Sequence, residues 1–458
     1  AIAVNPEDKR YKKLIGQKAI VPVSETIIPI IADKEIDPEF GTGALKVTPS
    51  HDPVDAEIGE RHQLGLKNII GPDGKLNNLV PEEYRSLPIL AAREKIVEYL
   101  TEKELLERTE EYQHDIPVCS RCQNKIEAIP SEQWFLKMEE LAQLAAQPIK
   151  EGKIKFYPAR WEKVYLAWLA NIKDWCLSRQ IWWGHPIPIG GEKDVLDTWF
   201  SSALWPFAVM GWPKETDDLS EFFPTDFLAT AVDIMNLWVA RMIFSSLEFT
   251  QKIPFSRVYF HPTILNKKGQ RMSKSLGTGI DPLELIDKYG ADATRFGLLW
   301  QTGSNRQDIR FGEEDIIMGQ KFTTKIWNAT RFIISQSEKY NLDLIDFGNI
   351  KQEEEIIQKL KILVEQIDES LDQYRFDQAT QAIYHFFWHE FCDQYLETTK
   401  EKINNDQEAL EIITNLFYVL STVLKILHPF MPFITEELYQ MLPLKDKKDS
   451  LIIENWPN

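Results

Sequence analysis

The clearest periodicity lies near the end of the chain. Ile356, Leu360, Leu363, Ile367 and Leu371 recur every three or four residues, which makes one apolar face of a helix. Leu410, Ile413, Phe417, Leu420, Leu424 and Leu427 repeat the pattern, and the stretch between the two is rich in aromatics. His428-Pro429-Phe430-Met431-Pro432 interrupts the chain, and Thr435 is expected to cap a further helix. These stripes predict a helical bundle over residues 316–458. The first 150 residues read differently. Short β-like runs at 1–4, 18–23, 27–32 and 45–48 are separated by turns such as Asp37-Pro38 and Gly41-Thr42-Gly43. Asp52 followed by Pro53 predicts a helix start, and 89–107 has helical spacing. Gly71-Pro72-Asp73-Gly74 reads as a turn between two more strands. In the middle, 229–250 reads as a strand end, a loop and a helix, and 259–262 as a strand running towards a Gly-bounded loop at 266–279.

Length and composition narrow the class. The chain has 458 residues and is 43% hydrophobic, enough for about three domains, with expected bounds 1–150, 151–315 and 316–458. No apolar run approaches the roughly 20 residues that span a bilayer, so no membrane partner is expected. Four cysteines argue against a disulfide scaffold and fit a reducing cytoplasm. A formal charge of −18 leaves nucleic-acid binding to local basic patches. The chain opens on Ala1 within a strand-like run, which reads as part of a longer protein.

Candidate chemistry gathers in the loop Arg271-Met272-Ser273-Lys274-Ser275. Its hydroxyls and cations, with Lys268 just before, suit a triphosphate: Lys offers a point charge, Arg a fork, and the Gly-bounded loop can close. A solvated basic turn has the same composition. Asp233 falls where a strand gives way to a helix, a place for ribose hydroxyls or for a helix cap. Asp52 and Asp55 suit a helix N-terminus first as caps, and otherwise as pocket groups. Cys119 and Cys122 form half of a zinc knuckle or two small residues at a turn. Lys321, Lys325 and Arg331 make a small basic patch along one helix, although the bundle needs no ligand to explain its stripes.

Arg271 to Ser275, with the later Asp281-Pro282-Leu283-Glu284-Leu285-Ile286 and Tyr289-Gly290-Ala291-Asp292-Ala293-Thr294-Arg295-Phe296, resembles the second signature of class I aminoacyl-tRNA synthetases. Arg271 stands where the family usually has Lys. Gly41 to Asp55, Trp182-Trp183-Gly184-His185 and Asn236-Leu237-Trp238-Val239-Ala240-Arg241 resemble the valyl branch, and Lys321 to Phe332 with Tyr374-Arg375-Phe376-Asp377 resembles its anticodon-binding bundle.

The resemblance implies a multidomain α/β plus all-α protein. It comprises a β-rich editing domain, the C-terminal half of a Rossmann-like catalytic domain and a helical anticodon-binding domain. It implies ATP-dependent activation of valine and transfer to tRNA(Val), with ATP and Mg²⁺, in a cytoplasmic monomer. Lys274, Arg271 and Ser273 are implied as catalytic, and Lys274, Ser275, Asp233 and His261 as ATP contacts. Trp183, Ile234 and Trp238 are implied for the valine pocket. Asp55, Lys46, His51 and Asp52 are implied for hydrolytic editing of threonyl-tRNA(Val). Ala231 and Pro262 replace common family glycines. The first family signature, of His-Ile-Gly-His type, does not occur in the chain. A rival expectation follows from that: a non-catalytic paralogue that binds tRNA or a protein partner.

Overall fold

Asp52 starts the first helix as expected. Its carboxylate accepts the backbone N–H of Val54 and Asp55, Pro53 fills the first helical position, and α1 runs Pro53–Arg61. The computed structural model describes every residue except 112, 114, 120, 121, 273–276, 304–307, 351–353, 404, 405 and 458, and omits the side chains of 349, 406 and 407. Ser273, Lys274 and Ser275 therefore lie outside the described residues. Two compact units are present, Ala1–Gln133 and Trp134–Asn458.

In the first unit, β1 (Ile2–Val4), β2 (Lys18–Ile20), β3 (Ile27–Ala32) and β4 (Ala44–Lys46) form a sheet in the order β2-β3-β1-β4. β1 pairs parallel with β3 and antiparallel with β4. Ala3, Ile36, Val47 and Ile58 of α1 make its small core. A second core of Ile70, Leu76, Tyr84 and Ala92 lies beside the helix Ile89–Glu102. The Gly71–Gly74 turn is present, but a single bridge, Ile70 to Leu76, replaces the two expected strands.

The second unit is built on a parallel sheet. β5 (Lys155–Tyr157), β6 (Thr225–Ala231) and β7 (Phe255–His261) lie in the order β6-β7-β5. Phe156, Val258 and Phe260 point to one face, where α2 (Glu139–Lys150), α3 (Arg160–Ala170) and α4 (Ala240–Thr250) bury them. A parallel sheet needs such a cover, because its crossovers place helices on its faces. α2 contributes Ala142, Ala145, Ala146 and Ile149 to that core. For this reason the first unit ends at Gln133, ahead of the expected bound at 150. β8 (Thr263–Leu265) pairs parallel with β9 (Asp308–Arg310), and α5 (Pro282–Tyr289) and α6 (Ala291–Trp300) lie between them in the chain.

The bundle contains α7 (Glu314–Lys339), α8 (Glu355–Asp372), α9 (Phe376–His385), α10 (Asp406–Leu427) and α11 (Pro432–Met441). Residues Glu408–Leu427 have mean hydropathy 1.6, long and apolar enough to cross a bilayer by composition, contrary to the sequence expectation. The helix is 72% buried in the bundle, which accounts for its apolar character on every side.

Thr435 does not cap α11. It lies inside the helix, donates to the carbonyl of Met431 and meets His428 Nδ1 at 2.8 Å. The cap comes from α6: Asp292 accepts the N–H groups of Phe433 at 3.2 Å and Ile434 at 2.6 Å. Burial pushes the Asp292 carboxyl above its ordinary range, against the pull of those two amides. Arg295, one turn on, donates to the carbonyls of Pro429 and Phe430. Asp292→Ala is expected to lower the stability of this unit by about 1–2 kcal/mol, because two partly buried donors lose their acceptor. The urea midpoint should fall, and an unchanged midpoint would show that solvent replaces the cap.

Candidate functional site

β6 and β7 run in register, with Ala231 opposite His261, so the residues after them share one carboxyl edge of the sheet. The turn Val232–Ile234 carries Asp233 out from that edge. Asp233 makes no helix cap; its Oδ2 lies 2.8 Å from Arg271 Nη2. The Arg271 side chain is largely exposed and that of Asp233 partly so, and the pair can open when a better partner arrives. His261 is exposed at the same edge, with Nδ1 3.2 Å from the carbonyl of Pro262.

The flanks of the Arg271 loop are fixed. Asn266 Oδ1 accepts the N–H groups of Lys268 and Gln270, and Gly269 takes a φ of +79°, which a Cβ would disfavour. Leu265 bridges to Arg271, and Thr278 Oγ1 donates to the Arg271 carbonyl. Met272 packs on Leu285, Ala293, Phe311 and Ile316. The residues on either side of 273–276 are thus pinned while the candidate phosphate groups themselves lie outside the described residues.

The expected amino-acid pocket is only partly assembled. Ile234 and Trp238 lie one turn apart, and Trp238 Nε1 donates to the carbonyl of Ser202. Trp183 is 68% exposed, beside the still more open Trp182. Trp199, which sequence reasoning passed over, stands on the helix Thr198–Ala203 and packs on the same core as Trp238. It lines a cavity of about 690 Å³ with Trp175, Leu237 and Arg241. Arg241 lies 3.9 Å from the centre of the Trp175 ring, and burial lowers its pKa to about 10. Asp197 holds both Trp175 Nε1 and Arg179 Nη2. In the sequence Trp199 closes the run Asp194-Val195-Leu196-Asp197-Thr198-Trp199.

In the first unit, Asp55 is buried and its Oδ2 accepts the Thr48 N–H at 2.6 Å and the Thr48 hydroxyl at 3.1 Å. Lys46 Nζ donates to that same hydroxyl. Asp52 is occupied as the cap of α1. His51 turns the other way: Nε2 accepts from Ile69 N–H, which leaves Nδ1 to donate to the carbonyl of Ala128. Lys46 and Asp55 therefore converge on Thr48, and His51 does not join them.

Cys119 and Cys122 sit on a tight turn closed by Cys119 N–H to Asn124 and Gln123 N–H to Cys119, and neither is in a disulfide. Among the described residues no three His, Cys, Asp or Glu side chains gather to hold a metal. Lys325 is tied down, 2.8 Å from Asp393 and over the Trp388 ring, whereas Lys321 and Arg331 are exposed.

Comparison with known proteins places two family models along the chain, the first of them running across the end of the first unit. The family "tRNA synthetases class I (I, L, M and V)" matches residues 94–193 and 189–312, and "Anticodon-binding domain of tRNA ligase" matches 353–458. The chain is 44% identical to the valine–tRNA ligase of Treponema denticola, over 97% of this chain and 52% of that protein. It is 44% identical to that of Thermotoga maritima, over 100% of this chain and 55% of that protein. It spans about half the length of the curated relatives it matches. In structure it is similar to Mycobacterium tuberculosis methionyl-tRNA synthetase in complex with methionyl-adenylate. The TM-score is 0.60 at 17% identity, over 74% of this chain and 68% of that one. A ternary complex of Agrobacterium radiobacter K84 LeuRS with tRNA and LeuAMS gives 0.50 at 18%, over 100% and 58%. At such identities the likeness speaks for the fold.

Proposed function

The chain belongs to the class I aminoacyl-tRNA synthetases, and on that premise we propose that it is the part of a valine–tRNA ligase that holds the second half of the nucleotide fold and the anticodon-binding bundle. The observation that carries this reading is the Arg271–Asp233 pair, which joins the signature loop to the carboxyl edge of the parallel sheet. Ligands of open α/β sheets bind at that edge. In the proposed reaction a valine carboxylate oxygen attacks the α-phosphorus of ATP, which enters as its magnesium complex. The bond to the β-phosphate oxygen breaks and pyrophosphate leaves. A terminal ribose hydroxyl of tRNA(Val) then attacks the acyl carbon, and AMP leaves.

The residues divide by role. Asp233 accepts ribose hydroxyls, which frees Arg271 to join Lys274 and Ser273 on the phosphates as charge develops. Ser275 and His261 complete the nucleotide contacts. Ile234 and Trp238 form the valine pocket with Trp183, whose exposure requires a covering segment from elsewhere. Lys321 and Arg331 meet tRNA directly, and Lys325 does so by exchanging Asp393 for a phosphate. Residues 1–133 act as part of the editing domain, with Asp55 anchoring the ammonium of a mischarged threonyl ester and Lys46 beside it, while Asp52 as the α1 cap and His51 through Ile69 and Ala128 hold the surrounding backbone. The enzyme works as a cytoplasmic monomer. Zinc does not fit the described residues around Cys119 and Cys122, and no step is routed through it.

The test supplies the missing half. The chain alone is expected to give no valine-dependent ATP–pyrophosphate exchange. Fused behind the upstream half of the Thermotoga maritima relative, it should exchange with valine in clear preference to isoleucine and leucine. A folded fusion that binds tRNA but never exchanges would establish the non-catalytic paralogue instead.

A further inference from the structure

The seam between the parallel sheet and the bundle holds a charge that nothing above uses. Phe227 lies opposite Arg257, and Tyr259 opposite Tyr157, on the sheet face away from the α2–α4 core. The turn after α8 covers them. Tyr374, in the left-handed region at φ +55°, stacks on Phe227 with centroids 5.1 Å apart and meets Tyr157 edge-on at 4.7 Å. Such a backbone is uncommon for a residue with a side chain, and here it delivers the ring to the sheet.

Beside these rings is a cavity of about 590 Å³, lined by Tyr157, Tyr259, Thr302, Tyr374, Arg375 and Asp377 among others. Asp377 is only 9% exposed, yet its enclosed Oδ1 takes no hydrogen bond among the described residues. Burial, and next the nearby charge of Asp377, push the Tyr259 hydroxyl up to about 12. A position in the first turn of α9 eases a negative charge there but supplies no donor to this oxygen. Native proteins rarely leave a buried carboxylate oxygen unpaired, and an orphan bordering a cavity is explained by a donor that arrives with a ligand.

We infer that this cavity receives the Watson–Crick edge of an unstacked guanine from RNA. Guanine presents two adjacent N–H donors, N1–H and the N2 amino group, which match both oxygens of one carboxylate once the Asp377 side chain turns its enclosed Oδ1 towards the cavity. Adenine and cytosine each offer that edge a single amino group beside acceptors, which the carboxylate repels. The tyrosine rings give the base an aromatic wall, and Arg375 gives its phosphate a cation. The volume accommodates one nucleotide. The inference rests on the tRNA-binding reading above for the source of the base.

Calorimetric titration of the purified chain with GMP, IMP and AMP tests it. GMP should bind most tightly, and IMP, which lacks the N2 amino group, about tenfold more weakly. AMP should be weaker still, and an excess of ATP should leave GMP in place. Asp377→Asn should lose about tenfold or more of GMP affinity. Because that variant removes an unpaired buried charge, its thermal midpoint should rise. Arg375→Met should weaken GMP but not guanosine. Equal binding of the three nucleotides, displacement of GMP by ATP, or unaltered GMP affinity in Asp377→Asn would each overturn the site. A short hairpin with one guanine free in its loop should bind more tightly than GMP. Binding of GMP without the hairpin would overturn RNA as the source. Guanine discrimination in a chain that fails to bind tRNA would sink the tRNA reading and leave the site standing. The reverse result would sink the site alone.

Discussion

Lys274→Ala, introduced into the fusion that carries both halves of the nucleotide fold, is expected to slow valine-dependent ATP–pyrophosphate exchange about 10²- to 10³-fold. That is the usual loss when one preorganised charge contact to a transition state is removed. Valine affinity, read by equilibrium binding, should change little, because the lysine acts on the phosphates as charge develops. Arg271→Ala should act in the same direction and also release Asp233 from its 2.8 Å partner. Nucleotide affinity is therefore expected to shift in Arg271→Ala more than in Lys274→Ala. Equal exchange rates in Lys274→Ala and its parent would remove that residue from the chemistry and return the loop to a solvated basic turn.

Asp55→Ala in the same fusion is expected to leave valine charging intact while deacylation of threonyl-tRNA(Val) falls about 10²-fold, the scale of a misplaced reacting group. An apolar pocket rejects the added hydroxyl of threonine poorly, by about 10² for valine against threonine, so a second hydrolytic site has a purpose. The competing outcome is sharpened by the geometry. Asp55 Oδ2 already holds both the N–H and the hydroxyl of Thr48. Removing the carboxylate leaves a partly buried donor unpaired, at about 1–3 kcal/mol of stability in the first unit. Thr48→Val separates the two effects, since it deletes the hydroxyl bond but spares the carboxylate. If Thr48→Val and Asp55→Ala lose thermal stability together while deacylation holds, Asp55 is a structural residue.

Much of this was written locally. The Asp52-Pro53 start of α1 was legible because a cap and its helix are neighbours in sequence. The strand before Asp233 and the long stripes of α8 and α10 were legible because periodicity is a local property of a chain folded against one core. The signature loop was legible through its unusual run of cations and hydroxyls, bounded by glycines. Trp183 shows the limit of that approach: an aromatic in a strong motif is exposed, while Trp199 packs with the core that Trp238 shares. Nothing along the sequence distinguishes those two indoles.

What the sequence determined by itself, then, is the kind and order of most of the elements and the place of the loop proposed to meet a triphosphate. These depend on spacings of a few residues, over which side-chain direction follows from backbone geometry. Tertiary structure decided the pairings between distant parts. It gave α11 its cap from Asp292 rather than from Thr435, and it brought Arg271 onto Asp233. It also turned His51 away from Asp55 and enclosed Asp377 beside an aromatic cavity. Each of these joins groups that the chain separates or turns a local side chain towards a distant partner. Hydrogen bonds and ion pairs act over about 3 Å of space, and sequence distance carries no record of where the fold brings two such groups together.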